Sequence, residues 1–444
     1  MTYLVEIERM AYGADSIGHL PDGKTVFVAG GAPGDTVEIE IAEDRKSFAR
    51  GTITRIAEAS PNRVAPASPE DLACGTAPWQ HLSYDTQLAA KRANIVGALV
   101  HTAHFEAERA ETLVAGCLPS KRTWGYRNKL ELGCGRDSQG RFVLGFHKEG
   151  TGELATTDST KLGHKQIEKA PKALRGAIRY AQGSEDLGIF RVGIRHSLAT
   201  GDLEVALWTK PGAFPRGLFA KTLASACKAT GVIRVLADPG SARKIKGVEV
   251  LDGHGRWRER IGDVEFATQA PSFFQVNTAQ AGRLVDTVLN GLAGGDGQSS
   301  LDGAYVADLY AGGGTFSIPL ALAGADVVAV ESAGSSVRDL RRNADANGAD
   351  VDVVGGDAAR ELSTLGELDA LVVDPPRSGL ADGVVEDIAH ARPTRVAYVS
   401  CDPATWARDV ARFEQNGYRL IGATPIDMFP QTYHVETASF LAPC

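Results

Sequence analysis

The sequence predicts an α/β protein in three parts: a small N-terminal β-barrel, an α+β middle segment and a C-terminal sheet that is mostly parallel. Residues 1–60 alternate apolar and polar positions in short runs separated by Gly, Pro and Asp turns, which is typical of a barrel of four or five strands. From Leu301 onward, short apolar runs alternate with helical segments, which indicates a parallel sheet covered on both faces. At 444 residues the chain is expected to form two or three domains.

The barrel is followed by a linker and then by a long helix. Residues 60–71 are rich in Pro and Ala, as in an interdomain linker, and residues 86–100 read as a helix. The middle segment is predicted over 61–268, with a helix near Leu162 to Gln182. Its strands are expected in NKLELGCG, RFVLGFHK, VGIRHS, LEVALWT and GVEVLDG.

The C-terminal domain is predicted over 269–444, and its sheet should bind a ligand at the carboxyl ends of the strands. The strands are expected in VADLY, VVAVES, VDVVGGD, ALVVDPP and RVAYVS.

Composition excludes several classes of protein. The 43% hydrophobic and 23% charged residues are typical of a globular protein, and the sequence has neither a secretion signal nor 18 consecutive apolar residues. The 6 cysteines form no C-x-x-C pair or other metal-ligand spacing, and a disulfide framework is not expected in so long a chain. These observations favour a protein of the reducing cytoplasm with no membrane partner.

Charge is distributed unevenly along the chain. Residues 121–200 contain 15 Lys and Arg against 8 Asp and Glu, a local charge of +7, whereas residues 301–400 contain 7 against 16, a local charge of −9. A polyanion can therefore bind locally despite the net charge of −8, although a solvated charged face would give the same pattern.

A glycine-rich turn follows the first strand of the C-terminal sheet. Gly312, Gly313 and Gly314 allow a tight turn and a close approach of a ligand. The dinucleotide fingerprint would need another glycine at the position of Ser317, so a nicotinamide or flavin site is disfavoured.

Acidic residues around this turn favour a different cofactor. Asp308 precedes the glycines, Glu331 ends the next strand where it can accept hydrogen bonds from ribose hydroxyls, and Asp357 is placed to border an adenine. A carboxylate beside the loop suits a cation better than a pyrophosphate. The pattern favours S-adenosylmethionine, which joins an adenosine to a sulfonium and an ammonium group.

Cys401 is the candidate nucleophile. It lies at the end of a predicted buried strand where a helix begins, and a helix N-terminus is one place where the pKa of a thiol falls. The sequence DPPR from Asp374 to Arg377 provides a rigid wall for a flat ring and donors for a carbonyl or phosphate, and Glu436 supplies a carboxylate base. The alternative is that Cys401 is a small buried hydrophobic residue, as most free cysteines are.

Together these motifs resemble the RNA uracil-5-methyltransferases that use S-adenosylmethionine. The resemblance covers nearly the whole chain and implies a class I (Rossmann-like) methyltransferase domain, an OB-like barrel of the TRAM type at 1–60 and an α+β central domain. The motifs that carry it, in order, are WQHLSYDTQLAAKR, GYRNKLEL, SFFQVN, DLYAGGGTF, DPPRSGL, SCDPATWARD and HVETASF.

The resemblance implies roles for particular residues. Cys401 would attack C6 of a uracil, the resulting enolate would accept the methyl group at C5, and Glu436 would remove the C5 proton. Asp374 would also face the base. The implied cofactor pocket consists of Gln275, Asp308, Tyr310, Gly312, Glu331 and Asp374.

The resemblance also implies how RNA binds. The barrel and the GYRNK segment would contact it, with Tyr126 stacking on a base, Arg127 and Lys129 holding phosphates, and Arg377 as a further contact. An ordinary exposed strand start would explain GYRNK equally well. The implied substrate is 23S rRNA first and the tRNA T-loop second, and the implied state is a monomer. The helix at about 86–114 is expected to pack with the catalytic domain.

One departure from the family pattern concerns an iron–sulfur cluster. Many relatives with the barrel hold one with four cysteines, and here Cys74 fills one of those places, while Ser68, Ala77 and Thr160 stand at or near the others. A single thiolate cannot hold such a cluster, so none is predicted, and no metal site is expected.

Three other functions remain open at this point. A cytosine-5 methyltransferase would use similar thiol chemistry, but DPPR with the late HVE fits uracil better. A non-catalytic RNA-binding or chaperone protein should have lost a catalytic residue, yet both Cys401 and Glu436 are present. A nicotinamide-dependent oxidoreductase needs the absent fingerprint.

Overall fold

A computed structural model describes residues 2–148, 152–240, 244–294 and 300–444. Within these ranges, a closed barrel and two seven-stranded sheets follow one another along the chain, each with a hydrophobic core, and a two-stranded hairpin lies between the two large sheets. None of the helices within the described ranges combines the length and the apolar character needed to cross a bilayer.

The first sheet is a closed five-stranded barrel with the order β1-β2-β3-β5-β4. Alternate residues point inward because strands have a period of two, and the inward residues, among them Val26, Val28 and Ile39, are fully buried. Its strands are β1 (Thr2–Met10), β2 (Asp15–His19), β3 (Thr25–Ala29), β4 (Thr36–Asp44) and β5 (Phe48–Glu58). The predicted barrel is confirmed.

Three helices connect the barrel to the central sheet: α1 (Pro69–Cys74), α2 (Tyr84–His101) and α3 (Ala107–Leu113). The stretch expected as one helix at about 86–114 is thus two helices. Buried residues of α2 such as Ile95 and Leu99 share a core with the C-terminal sheet. On the same helix, the fully buried Lys91 donates from Nζ to Oδ1 of Asp427 at 2.5 Å.

The central sheet has seven strands in the order β12-β11-β10-β9-β6-β7-β8, and two helices cover one face. The predicted helix near Leu162 to Gln182 begins later, at Ala170. The elements are β6 (Lys129–Arg136), β7 (Phe142–His147), β8 (Leu154–Thr156), α4 (Ala170–Gln182), β9 (Ile189–His196), β10 (Leu203–Thr209), α5 (Arg216–Cys227), β11 (Gly231–Leu236) and β12 (Gly247–Asp252).

A hairpin of β13 (Trp257–Ile261) and β14 (Val264–Thr268) follows. Its apolar residues, including Trp257 and Phe266, pack with Leu340 and Ala344 in a core shared with the C-terminal sheet, although the sequence placed the hairpin in the central domain. The three-domain division at 60 and 268 stays a prediction.

The C-terminal sheet has the order β17-β16-β15-β18-β19-β21-β20. Five strands are parallel neighbours, and β21 is antiparallel to both β19 and β20. The elements are α6 (Thr278–Leu292), β15 (Tyr305–Leu309), α7 (Ser317–Leu322), β16 (Asp326–Glu331), α8 (Gly334–Asn347), β17 (Val351–Gly355), α9 (Ala358–Leu362), β18 (Ala370–Val373), α10 (Val384–Ala391), β19 (Arg395–Ser400), α11 (Pro403–Gln415), β20 (Tyr418–Ile426) and β21 (Glu436–Pro443).

Helices cover both faces of this sheet, as predicted. Residues such as Ala307, Val373 and Tyr398 face a core that includes α2, α10 and α11, whereas Val306, Val372 and Val399 face α6 and α7. The dinucleotide-binding order is 3-2-1-4-5-6, and the antiparallel β21 between β19 and β20 departs from it. The topology therefore weakens the oxidoreductase alternative further.

Candidate active site

The predicted site residues of the C-terminal domain meet at one edge of its sheet. Parallel strands end at the same edge, so the residues that end or follow β15, β16, β18 and β19 converge there. Glu436 joins them from the opposite direction because β21 is antiparallel and begins at this edge.

The glycine turn is shaped by left-handed backbone at Tyr310, Gly312 and Gly314, with φ of +64°, +58° and +93°. A Cβ at Gly314 would lie 2.5 Å from Cδ1 of Leu340, so this glycine lets α8 pack closely. A Cβ at Gly312 would meet no atom within 4 Å, so the backbone there faces open space. A left-handed tyrosine is uncommon, and such strain clusters at ligand sites.

Glu331 fixes this turn. Its Oε2 accepts from the main-chain N–H of Gly312 at 2.9 Å, and its Oε1 accepts from that of Ala333 at 2.6 Å. A carboxylate has about four lone-pair sites, so these two bonds leave acceptor capacity for ribose hydroxyls.

Asp308 is fully buried and only half satisfied. Its Oδ2 accepts from the Ser317 hydroxyl at 2.5 Å, whereas its Oδ1 has no hydrogen-bond partner in the described part of the chain. Burial raises the pKa of Asp308 to about 7. An unpaired buried acceptor of this kind is rare and calls for an explanation such as a bound ligand.

Asp374 lies close enough to Asp308 for the two carboxyls to repel each other. Burial raises its pKa to about 7, with the charge of Asp308 as the second cause. A cation bound between two such carboxyls would remove their repulsion and supply the missing partner. The residues present therefore fit a positively charged cofactor such as S-adenosylmethionine.

Two further residues predicted to bind the cofactor, Gln275 and Asp357, make structural hydrogen bonds. Gln275 is buried before α6, and its carbonyl accepts from Nδ2 of Asn128 at 2.8 Å, which ties its loop to the central domain. Asp357 caps α9 by accepting from the N–H groups of Ala359 and Arg360, and its charge helps raise the pKa of Tyr310. Asp357 thus has a structural task beside the adenine contact predicted for it.

Cys401 and Glu436 lie close together at the end of the β19–β21 ladder. The last pair of that ladder is Ser400 with Thr437, Cys401 and Glu436 are the next residues in each segment, and the charge of Glu436 acts on the thiol. Glu436 is 4% exposed, and its pKa is raised well above the ordinary value by burial and by Asp374, against the opposing effect of Arg377.

The thiol of Cys401 is not pre-ionised. Burial raises its pKa to about 11, the Glu436 charge adds to this, and Arg377 opposes it. Asp402 caps α11, accepting from Ala404 N–H and Thr405 N–H at 3.1 and 3.0 Å, so these donors at the helix N-terminus are already engaged. Its carboxylate both occupies those donors and adds a repelling charge beside the thiol.

A cavity of about 450 Å³ lies between the central and C-terminal domains. Cationic side chains line it from both sides, namely Arg127 and Lys129 from the centre and Arg377 from DPPR. Lys129 is engaged by Glu131 at 2.7 Å. The placement of these three residues is compatible with contacts to an anionic polymer.

The predicted stacking role of Tyr126 is wrong in this arrangement. Its side chain is 2% exposed, packs with Ala77 and Leu162, and donates from its hydroxyl to the carbonyl of Pro430 at 3.1 Å. A ring buried against three separate segments cannot offer a face to a base.

Two aromatic residues that the sequence did not single out, Tyr12 and Tyr433, connect Cys401 to His434. Tyr12 donates to the Cys401 carbonyl at 3.2 Å, and its ring meets that of Tyr433 edge to face at 5.5 Å. The ring centroids of Tyr433 and His434 lie 4.2 Å apart, and burial lowers the pKa of His434 to about 3. The HVE motif pointed to His434, but nothing in the sequence linked Tyr12, in the barrel, to a cysteine 389 residues away.

The region of Cys74 has a different character. Asp71, which is 1% exposed, accepts from the hydroxyls of Ser68 and Thr76 at 2.7 and 2.8 Å and from the N–H of Lys161 at 2.9 Å. No group of three His, Cys, Asp or Glu side chains in the described ranges is arranged to hold a metal ion. The residues here do not fit an iron–sulfur cluster.

Comparisons with known proteins agree with this architecture. The profile of the tRNA (uracil-5-)-methyltransferase family matches residues 260–443, and that of the TRAM domain matches residues 1–54. A protein of Gloeobacter violaceus named an RNA methyltransferase is 34% identical, with 99% of this chain and 96% of that protein covered. A similarly named protein of Thermosynechococcus vestitus is also 34% identical, with coverages of 99% and 98%.

A solved structure is similar to this chain over nearly its whole length. It is the crystal structure of Pyrococcus abyssi tRNA (uracil-54, C5)-methyltransferase in complex with S-adenosyl-L-homocysteine. Its TM-score is 0.75 at 28% identity, and the match covers 99% of each chain.

The C-terminal sheet, its glycine turn and the carboxyls around it define a methyltransferase domain, joined here to a TRAM barrel. The chain belongs to the RNA (uracil-5-)-methyltransferase family, whose enzymes take the methyl group from S-adenosylmethionine. The fold class and the family expected from the sequence are confirmed. The roles of individual site residues stay predictions.

Proposed function

We propose that this enzyme methylates C5 of a uridine in RNA, with Cys401 as the nucleophile and Glu436 as the base. The observation that carries the proposal is the meeting of these two residues at the sheet edge beside the Asp308–Asp374 carboxyl pair. A thiol, a buried base and a site for a cation are together the parts that C5 alkylation needs.

The steps follow from the chemistry of the ring. C5 of uracil is a poor nucleophile until sulfur of Cys401 adds to C6, which breaks the C5–C6 double bond and places an enolate electron pair at C5. The bound cofactor supplies an electrophilic methyl carbon. Glu436 then removes the C5 proton, the electrons of that C–H bond re-form the double bond, and the C6–S bond breaks to release Cys401.

The raised pKa values assign tasks to the carboxyls. Because the pKa of Cys401 is about 11, its proton leaves only as sulfur adds to C6, and we assign Asp374, which raises the pKa of Cys401, as the acceptor. Glu436 then stays available for the C5 proton, and its raised pKa makes it a stronger base than an ordinary carboxylate.

We propose 23S rRNA as the first target, since the barrel accompanies many ribosomal-RNA enzymes. The tRNA T-loop is the second candidate, and one observation favours it: the tRNA enzyme of Pyrococcus abyssi matches 99% of this chain, so the barrel does not exclude a tRNA substrate. We further propose that the enzyme acts as a monomer, because one chain supplies all of these residues, and that it acts in the cytoplasm on these RNAs.

The test uses transcripts containing 5-fluorouracil, whose C5–F bond cannot be broken by a base. Incubation of the full chain with S-adenosylmethionine and either 23S rRNA or tRNA transcripts should leave a covalent adduct on a denaturing gel. The RNA that forms the adduct identifies the target. Absence of an adduct with every transcript, or an adduct that persists in Cys401→Ala, would contradict the mechanism.

A further inference from the structure

The loop of residues 11–14, which joins β1 to β2, brings the barrel to the proposed active site. Two side chains from outside the barrel hold this loop. Trp79 donates from Nε1 to the carbonyl of Gly13 at 2.9 Å, and Asn94 donates from Nδ2 to that of Ala11 at 3.4 Å. The loop is thus docked on the rest of the molecule on both sides of Tyr12.

The docking surface is apolar and continuous with the HVE region. Met10 at the end of β1 is buried with Trp79, Leu82 and Tyr433 in one cluster. Trp79 also donates from its main-chain N–H to the carbonyl of Gln431 at 3.0 Å. The barrel, the linker and the segment before Glu436 therefore form one packed unit at this point.

Tyr12 extends from this unit to Cys401. Its hydroxyl donates to the Cys401 carbonyl at 3.2 Å, and its ring packs edge to face on Tyr433. Burial and the nearby charge of Asp402 raise the pKa of Tyr12, so the phenol keeps the proton that it donates.

The helix that follows Cys401 does not supply a donor to the Cys401 carbonyl. Pro403 has no N–H, and the N–H of Thr405 donates to the Asp402 side chain at 3.0 Å. The carbonyl therefore lies outside the hydrogen-bond ladder of α11, and the Tyr12 hydroxyl provides its bond.

The charge of the barrel favours a role in the geometry of the active site. Residues 1–60 contain 6 Lys and Arg against 10 Asp and Glu, a local charge of −4. Phosphate binding is driven by cations, so the net charge of the barrel does not favour RNA binding, and any RNA contact that it makes must be local. A direct contribution to the geometry of Cys401 gives it a role that does not depend on phosphate contacts.

We propose that Tyr12 is a positioning residue that fixes the backbone of Cys401, so that the barrel contributes to the rate of methyl transfer as well as to RNA binding. This proposal rests on the proposed function of Cys401 as the nucleophile. In this proposal Tyr12 acts through its two contacts, the Cys401 carbonyl and the Tyr433 ring.

The test compares Tyr12→Phe with Tyr180→Phe, a matched change at a side chain that is 73% exposed on α4 of the central domain. With RNA saturating, the single-turnover rate of Tyr12→Phe should fall about five- to tenfold, as expected for one lost hydrogen bond. Its Kd for the same RNA should change less than twofold, and the control should match the wild type in both. An unchanged rate, or a Kd that rises while the rate is constant, would overturn the proposal.

A second readout needs no RNA. Alkylation of Cys401 by iodoacetamide, followed by mass spectrometry of its peptide and referenced to the exposed Cys444, should be at least twofold faster in Tyr12→Phe because the Cys401 loop loses a restraint. Equal alkylation rates would contradict the link between Tyr12 and Cys401. If the wild type methylates no transcript, the proposed function fails, whereas this comparison still decides whether Tyr12 restrains Cys401.

Discussion

Two cysteines of this chain lie at contrasting places. Cys401 lies near Glu436 and Asp374, two carboxyls with raised pKa values, and Asp374 in turn lies near Asp308, which has an unpaired buried oxygen in the described part of the chain. Cys74 follows the Asp71 network, in which the carboxylate has three donors. Both are free cysteines, so the thiol alone does not distinguish them. Buried carboxyls that lack hydrogen-bond donors and repel one another indicate a ligand-binding site. A buried carboxylate with all of its donors in place indicates a structural site.

The largest expected effect is a difference in methylation activity between variants of the two cysteines. Cys401→Ala should lower methyl transfer to RNA by more than about ten-thousandfold, because C5 stays unactivated without addition at C6. Cys74→Ala should stay within about twofold of the wild type, because removal of one buried sulfur costs stability and not chemistry. Tritium transfer from labelled S-adenosylmethionine to RNA measures the activity of both variants. Equal losses of activity would show that the two cysteines do not differ in function.

The next effect separates the two halves of the proposed reaction. Glu436→Gln should reduce turnover by about a thousandfold, within the range of lost general bases, while Cys401 can still add to C6. The methylated adduct should therefore accumulate on ordinary uracil RNA and appear as a shifted band on a denaturing gel. The exposed Glu386→Gln is the matched control. Loss of activity without an adduct would assign another residue to the removal of the C5 proton.

The sequence predicted much of the site because its residues lie in the loops of βα units, where strand and helix patterns are strong. VADLY and RVAYVS are continuous apolar runs, and the structure has β15 and β19 there, so the positions of Asp308 and Cys401 at the sheet edge followed from the pattern. The strands β20 and β21 were not anticipated, since Gly422 and Pro425 interrupt one and Glu436 and Ser439 the other.

Properties that depend on several distant segments could not be predicted. Burial raises the pKa of Cys401, the charges of Glu436, Asp374 and Asp402 add to this, and Asp402 also caps the helix whose N-terminus was expected to lower that pKa. Tyr126 reads as an exposed aromatic beside cations, but Ala77 and Leu162 bury it. Neither result is visible in a local window of sequence.

The third expected effect is a loss of stability in the region of Cys74. Asp71→Asn should lower the free energy of unfolding by about 2 kcal/mol, because the new amide N–H₂ faces donors where a carboxylate accepted from them. Urea denaturation measures the change, with the fully exposed Asp382→Asn as control. The folded fraction should keep its methylation rate. A loss of activity in folded Asp71→Asn would show that the Cys74 region takes part in catalysis.

The smallest expected effect comes from Arg377, whose positive charge opposes the rise in the pKa values of Glu436 and Cys401. Arg377 lowers the pKa of Glu436 and of Cys401, so Arg377→Met should raise both, and the base would become ionised only at higher pH. The acidic limb of the rate–pH profile, measured as single turnovers with RNA saturating, should move to higher pH by about one unit or less, as expected for one partly solvated neighbouring charge. The exposed Arg419→Met should leave the limb in place. A shift to lower pH, or a weaker RNA affinity with no shift, would mean that Arg377 serves the RNA rather than the titration of Glu436.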